Sequence, residues 1–492
     1  MKSATRNLMF VGAGIVVLGG ALAGLLLTGG GEDPSSSSSE SASSEVISLV
    51  SKQEEDIVSM KVTNENGSYT IVPHTEEVES TSSDGSTSTS TKTTYLVEEL
   101  GDLPVNTYTT DRVVTYGFSL NASKNVGEVE NLADYGLTNP RATVEVSFKD
   151  GSSYEYSLGD VSAGDSESCY MSGKDSNNVY VVSVDDAIFD GAEGFVDKKL
   201  VSVSITDPNT PAAFDYLNLS GTDFEAPITL EGEGTLTAMT AGEQSLEPDS
   251  EKISELTSSL TTVTADSAVY LNPTDEHLQE CGLDNPAAIV EFTVEGETYR
   301  LMAGAKSEDK SEQYIMKDGV DVIYSIDSSK ISAWTSTSAF DLRSKFILLP
   351  MITDVEQLTV SFDGQDNVFV LSRTEDEEKS TEDNPAYTYT VTGNGNDITY
   401  SNFQEYYKSL IQIQLLEPTT EEPQGDPDLT ITYQYYADTG KPADVVNFYE
   451  IRDRRYLVTV NGTVSGNVAS TNVQTFLNFT PKILVDEELP EI

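Results

Sequence analysis

Leu132, Tyr135, Gly136, Leu137, Asn139 and Pro140 recur 146 residues later as Leu278, Cys281, Gly282, Leu283, Asn285 and Pro286. A phrase repeated at domain-length spacing constrains the chain to fold as tandem copies of one unit, because each copy must satisfy the same local geometry by itself. At the usual prior of roughly 150 residues per domain, a chain of 492 residues has room for three such units.

The residues after each Asn-Pro alternate strictly. Ala142, Val144, Val146 and Phe148 fall on one face, and Thr143, Glu145, Ser147 and Lys149 on the other, which reads as a strand with one buried side. Asp150-Gly151 turns the chain, and Tyr154, Tyr156 and Leu158 alternate along the return to Gly159. The second copy repeats this with Ala288, Val290, Phe292 and Val294, a Glu295-Gly296 turn, and Tyr299, Leu301 and Ala303 running to Gly304. Further on, Tyr170 matches Tyr314, and Val179-Tyr180 matches Ile323-Tyr324.

A third copy lacks Gly-Leu-x-Asn-Pro but keeps the alternation at Leu429, Ile431, Tyr433 and Tyr435, leading into a turn at residues 438–440. Its front half, from residue 354, resembles that of the first copy from residue 56. Apolar stripes predict helices: Ile253, Leu256 and Leu260 after Pro248-Asp249, and Phe403, Tyr406, Tyr407 and Leu410 behind a Ser401 cap with Gln404 three residues on. Residues 76–92 and 374–384, rich in Ser, Thr, Asp and Glu, read as disordered insertions at one equivalent hairpin.

Each unit therefore reads as strands, a helix, a short helical turn ended by glycine, more strands and a closing helix. The expected fold class is α+β, a tandem repeat of about three units, each a mostly antiparallel sheet with one or two helices, behind an N-terminal transmembrane helix. The expected boundaries are 1–7 for a cytoplasmic N-terminus, 8–28 for the transmembrane helix and 29–50 for a Ser/Gly-rich disordered tether. The three units are expected at 51–196, 197–340 and 341–492, the last being divergent.

The transmembrane reading rests on an apolar run from Leu8 to Thr28, preceded by Lys2 and Arg6 and followed by Glu32 and Asp33. Its length suits a bilayer, and the basic flank predicts a cytoplasmic N-terminus with the bulk of the chain outside. A cleaved signal peptide at Ala21-Leu22-Ala23 is the competing reading.

A net charge of −54, from 82 acidic against 28 basic side chains, excludes nucleic acid as a natural partner. Two histidines, His74 and His277, are read as solvated loop residues, and zinc is not expected. Cys169 and Cys281 allow at most one disulfide. Asp363 to Asn367 reads as a hairpin turn before a calcium loop, and no metal or cofactor site is assigned. Five Asn-x-Ser/Thr sequons, at Asn66, Asn121, Asn218, Asn461 and Asn478, are within chance for this composition.

No residue is assigned a catalytic role. Glu145 and Glu291 hold equivalent strand positions, but each unit offers one such carboxylate where glycoside hydrolysis needs two. Trp334, with Ile331 before it, is placed on the buried face of a closing helix; a sugar-stacking platform is the lesser alternative. Gly136 and Gly282 are read as left-handed helix stops, Leu137 and Leu283 as core plugs, and Pro140 and Pro286 as extended entries into the strand.

The repeated Leu-x-x-Tyr-Gly-Leu-x-Asn-Pro pattern, its alternating strand, its return strand ending in Leu-Gly and the later Tyr before Val-Tyr resemble the bacterial extracytoplasmic family called domain of unknown function 4340. At least two copies fit, at 128–195 and 274–337. The resemblance implies a bacterial cell-membrane location and an accessory role beside ABC-type exporter components. From these lines the expected function is a non-enzymatic binding or scaffold protein of the envelope, whose partners are other envelope or membrane proteins, an ABC-type permease among them. A cell-wall glycan-binding protein is the alternative.

Overall fold

The computed structural model describes residues 46–81, 87–205, 210–375, 386–451 and 454–491. The first sheet contains β1 (Ile47–Ser51), β2 (Ile57–Asn64), β3 (Gly67–Thr81), β4 (Thr87–Val97), β5 (Ser119–Glu128), β6 (Ala142–Phe148), β7 (Ser153–Ser162), β8 (Asp165–Gly173) and β9 (Asn178–Val182). Helix α1 (Thr107–Phe118) lies between β4 and β5. The second sheet has β11 (Phe214–Ser220), β12 (Ile228–Gly232), β13 (Leu236–Ala241) and β14 (Gln244–Leu246) before α2 (Ser250–Leu260). After it come β16 (Ser267–Leu271), α3 (Asp275–Glu280), β17 (Ala288–Val294), β18 (Glu297–Lys306), β19 (Glu312–Lys317), β20 (Val322–Asp327), α4 (Ser328–Thr335) and α5 (Ala339–Leu342). The third has β21 (Val355–Phe362), β22 (Gln365–Glu375), β23 (Tyr387–Gly393), β24 (Asn396–Ile398), α6 (Tyr400–Ile411), β25 (Leu415–Glu417), β26 (Leu429–Tyr435), β27 (Asp444–Ile451), β28 (Arg455–Val460), β29 (Thr463–Ala469) and α7 (Ser470–Ile483).

The second and third sheets have one topology. Their strand orders are β14-β13-β12-β11-β17-β18-β19-β20-β16 and β24-β23-β22-β21-β26-β27-β28-β29-β25, two meanders joined through their first strands. The first sheet repeats this order as β4-β3-β2-β6-β7-β8-β9-β5, with β1 added at the far edge in place of a strand beside β4. The central pairing is antiparallel in all three and sets equivalent apolar residues opposite each other: Val62 with Val144, Leu219 with Val290, Val360 with Ile431. Each first strand also carries a register shift at the same place, between Ile57 and Ser59, Phe214 and Tyr216, and Val355 and Gln357. A bulge at a shared position bends each strand alike, which ties the motif-less third unit to the other two.

Helices cover one face of each sheet. Val113 and Val114 of α1, Ile253, Leu256 and Leu260 of α2, and Phe403, Tyr406, Tyr407 and Leu410 of α6 are buried at helical spacing. Asp249 caps α2 by accepting from the Glu251 and Lys252 amides. In the third unit α6 packs on α7: Tyr406 stacks on Phe476 at 4.9 Å, and its hydroxyl meets Thr480 Oγ1 at 2.8 Å. A two-stranded sheet, β10 (Lys199–Ser202) with β15 (Thr262–Thr264), joins the first two units. One continuous core runs through those units, and the third has its own.

Several expectations are corrected. Among the described residues strand outweighs helix, 49% to 22%, in four sheets: one nine-stranded sheet for each unit and the two-stranded sheet between the first two. No helix among the described residues is long and apolar enough to cross a membrane, so a single-pass anchor is not supported. The run at 8–28 on which that expectation was placed lies outside the described residues. The stretch assigned as tether, 29–50, overlaps β1, which pairs with β5 and buries Val50.

The polar stretch at 76–92 forms paired strands as far as Thr81 opposite Thr87. Threonine favours extended backbone, and Glu76 opposite Lys92 sets unlike charges across the ladder. Helix α6 starts one residue before Ser401, with Thr399 at its N-cap position. The first unit closes not with an α-helix but with two 3-10 turns, Asp186–Phe189 and Ala192–Phe195. The return strands β7 and β18 run past Gly159 and Gly304, to Ser162 and Lys306.

Candidate functional site

The repeated motif is built as a backbone-on-backbone contact. The 3-10 turn Leu132–Tyr135 ends at Gly136, which is left-handed at φ 69°. In the second unit α3 runs to Glu280, and Gly282 follows at φ 64°. Leu137 and Leu283 are then buried, and the preceding carbonyl lies on the return strand: Cys281 O accepts from the Ala305 amide at 2.7 Å. The approach requires glycine on that strand, since a Cβ on Gly159 or Gly304 would stand 2.1 Å from the carbonyl oxygen of Tyr135 or Cys281. Leu132 and Tyr135 lie in the turn, Leu278 in α3, and Asn139-Pro140 and Asn285-Pro286 between turn and strand. Tyr135 meets the ring of Tyr170 edge-on at 4.9 Å.

The histidines are corrected. His74 is an exposed residue of β3, paired with Thr94, and His277 lies in α3. The His277 ring stacks on Tyr270 at 4.1 Å, and its Nδ1 accepts from the Thr274 amide. Cys169 and Cys281 are both free and buried. Burial pushes the Cys169 thiol up to about 11 and the Cys281 thiol above its ordinary value. Trp334 is fully buried, which removes it as a sugar platform.

Glu145 stands opposite Glu155 and Lys61, and Glu291 opposite Arg300, whose guanidinium lies 3.7 Å from its carboxylate. They belong to separate sheets and form no shared site. No group of three or more His, Cys, Asp or Glu side chains able to hold a metal occurs among the described residues.

What the structure does bring together is a cleft of about 880 Å³ between the second and third units. One wall is residues 243–247, around β14; the second is the connecting segment, with Arg343, Ser344 and residues 346–349; the third is the β28–β29 hairpin, with Val460, Asn461, Thr463 and Ser465. Leu349 is 52% exposed at the cleft, and Met351 just beyond it is 65% exposed. Arg343 Nε donates to Ser344 O and its Nη1 to Ser465 O, both at 3.2 Å. Burial lowers its pKa, and no carboxylate forms an ion pair with it among the described residues.

Sequence reasoning did not find this cleft. Its walls are about a hundred residues apart in the chain, and its one visible signal is the apolar run Phe346-Ile347-Leu348-Leu349-Pro350-Met351-Ile352 at a unit boundary. A second cluster was also missed: the Arg373 guanidinium lies between the rings of Tyr436 at 4.0 Å and Tyr387 at 4.7 Å, and Tyr389 stacks on Tyr400 at 5.4 Å. Asp438 pairs with Arg373 there.

No curated protein and no solved structure matches the chain. The family described as Domain of unknown function (DUF4340) matches residues 97–210 and 240–426. The first match begins at the end of β4, and the second begins in β13, ahead of β14 and α2, and runs on into the third unit; the two segments are consistent with two copies of one domain. Together they cover well over half of the sequence, and the chain belongs to the family Domain of unknown function (DUF4340).

Proposed function

We propose that the chain acts by binding a protein partner and not by catalysing a reaction, and that the partner docks in the cleft between the second and third units. The observation that carries this reading is the cleft itself, which sets an apolar floor, a strand edge and a guanidinium that no carboxylate pairs with among the described residues side by side at a unit junction. Binding sites favour such junctions, where few polar groups orient a ligand over apolar lining.

The exporter-type permease implied by the family resemblance is the first partner to test. A photo-crosslinking residue at Leu349 is expected to couple the chain to a transport component in its native host, and the same residue at exposed Tyr108 on the first unit is not. Recovery of the tagged chain with no transport component removes that assignment.

The glycan reading keeps one favourable observation, the Tyr389–Tyr400 stack beside Tyr387 and Arg373. It requires retention by purified cell wall that Tyr389→Ala abolishes. Retention that vanishes in moderate salt marks adsorption by charge.

A further inference from the structure

Resting on the binding reading above, we infer that the cleft takes an extended peptide strand of a partner protein, which adds to the open edge of β14 at Ser245 and sets a Glu or Asp side chain against Arg343.

The ladder pattern shows which groups are open. In the β13–β14 hairpin Ala241 pairs with Gln244 and Met239 with Leu246. Their amides and carbonyls face one another across a two-residue turn, so those of Ser245 and Glu247 face outward. The connecting segment confirms the direction: the Ser344 amide donates to Glu247 O at 2.7 Å, and the Asp249 amide to Leu342 O at 2.8 Å.

Had the segment continued along the edge, Phe346 would reach the position beside Ser245. It does not, because the Leu415 amide captures Lys345 O at 2.7 Å and Phe346 pairs with Gln414 of the third unit. The connection therefore switches sheets between Ser344 and Lys345. The edge at Ser245 is left without a main-chain partner among the described residues, with the apolar residues 346–349 facing it across the cleft.

Such an edge is a template for another strand. Charge complementarity selects which strand. In a chain with 82 acidic side chains, Arg343 lines the cleft, and among the described residues its Nη2 makes no hydrogen bond and no carboxylate pairs with it. A guanidinium accepts a carboxylate through two parallel hydrogen bonds, and this one has the donors to spare. A phosphate polymer is disfavoured by the −54 net charge, whereas one carboxylate on a neutral strand is not.

The test uses the full chain and an end-blocked fluorescent peptide, Ser-Val-Thr-Val-Glu-Val-Thr-Ser, read by anisotropy, with two comparators. One replaces Glu by Gln, and the other is N-methylated at alternate residues so that it cannot donate along its edge. The Glu peptide is expected to bind roughly tenfold or more tightly than the Gln peptide, the factor for a charge-assisted bond of about 1.4 kcal/mol or more. The N-methylated peptide is expected not to bind.

Arg343→Gln should erase the Glu-over-Gln preference. Ser245→Pro removes the outward amide without touching the β13 ladder, and should abolish binding while Trp334 fluorescence stays native. Equal binding of the Glu and Gln peptides, a preference that survives Arg343→Gln, unaffected binding to Ser245→Pro, or no binding of the Glu peptide to the native chain each overturns the inference. If the peptide fails while Leu349 still crosslinks a permease, the binding reading stands and the strand-and-carboxylate occupant falls. If the peptide binds as expected and no permease is recovered, the binding reading and its strand-and-carboxylate occupant stand and the permease assignment falls.

Discussion

Gly304→Ala isolates the contact on which the repeated motif depends. The new Cβ would lie 2.1 Å from Cys281 O and 3.0 Å from Leu283 Cγ, and the nearer atom is backbone, which cannot rotate away. A comfortable carbon–oxygen contact is about 3.3 Å, so turn and strand must part by about 1 Å. That movement breaks the Ala305 N–H···O=C Cys281 bond of 2.7 Å. Overpacking costs about 1–3 kcal/mol and the lost hydrogen bond about 1 kcal/mol more. The alanine stiffens the unfolded chain and offsets about 0.4–1 kcal/mol, leaving a net loss of about 2 kcal/mol or more. Trp334 is the one tryptophan in the sequence and is buried in α4 of the same unit, so its fluorescence reports this unit in a urea titration. With a urea slope of about 1–3 kcal/mol/M, the midpoint should fall by roughly 1 M. Gly296→Asn is the control, because its added atoms meet open space and Asn tolerates the left-handed φ of 79°. A Gly304→Ala midpoint no lower than that of the control refutes the close-approach argument.

Tyr406→Phe removes the hydroxyl that joins α6 to Thr480 of α7 and should cost the third unit about 1 kcal/mol, measured by denaturant unfolding followed by circular dichroism. Asp486 accepts from Asn402 Nδ2, the Thr399 hydroxyl and the Thr399 amide, and these bonds hold its carboxyl below the usual carboxylate range. A depressed folded value means that the contribution is present above an unfolded value of about 4 and lost as pH falls through the folded one. Asp486→Asn should therefore flatten the acid limb of the stability curve in that window, and an unchanged limb counts against the assignment. Neither cysteine should react with a thiol reagent at pH 8 in the native chain, and both should after unfolding in guanidinium, because burial raises both thiols. Fast labelling of either one in the folded chain would contradict its burial.

The elements that sequence made legible are those whose causes are local. Alternation at residues 142–148 and 288–294 gave strands with those bounds, and Asp249 before an apolar stripe gave α2. Where the reading failed, the cause was a partner on another element. Residues 76–81 looked too polar to order, yet β4 supplies them with a complete ladder. His277 looked solitary because Tyr270, which it stacks on, belongs to a strand before its helix. The candidate cleft was illegible for the same reason: Ser245, Arg343 and Ser465 carry no shared pattern.

The sequence alone determined that the chain repeats a unit, that the repeated phrase is a helix stop followed by a strand entry, and that a third copy does without it. Each of these follows from short-range sterics and periodicity, which act within a few residues. Tertiary structure decided how the two meanders of each unit join through their first strands, and where the connection between units leaves one sheet for the next. Those outcomes depend on which backbone groups compete for a partner across a hundred residues, and at Lys345 the third unit's Leu415 amide wins over the edge of β14.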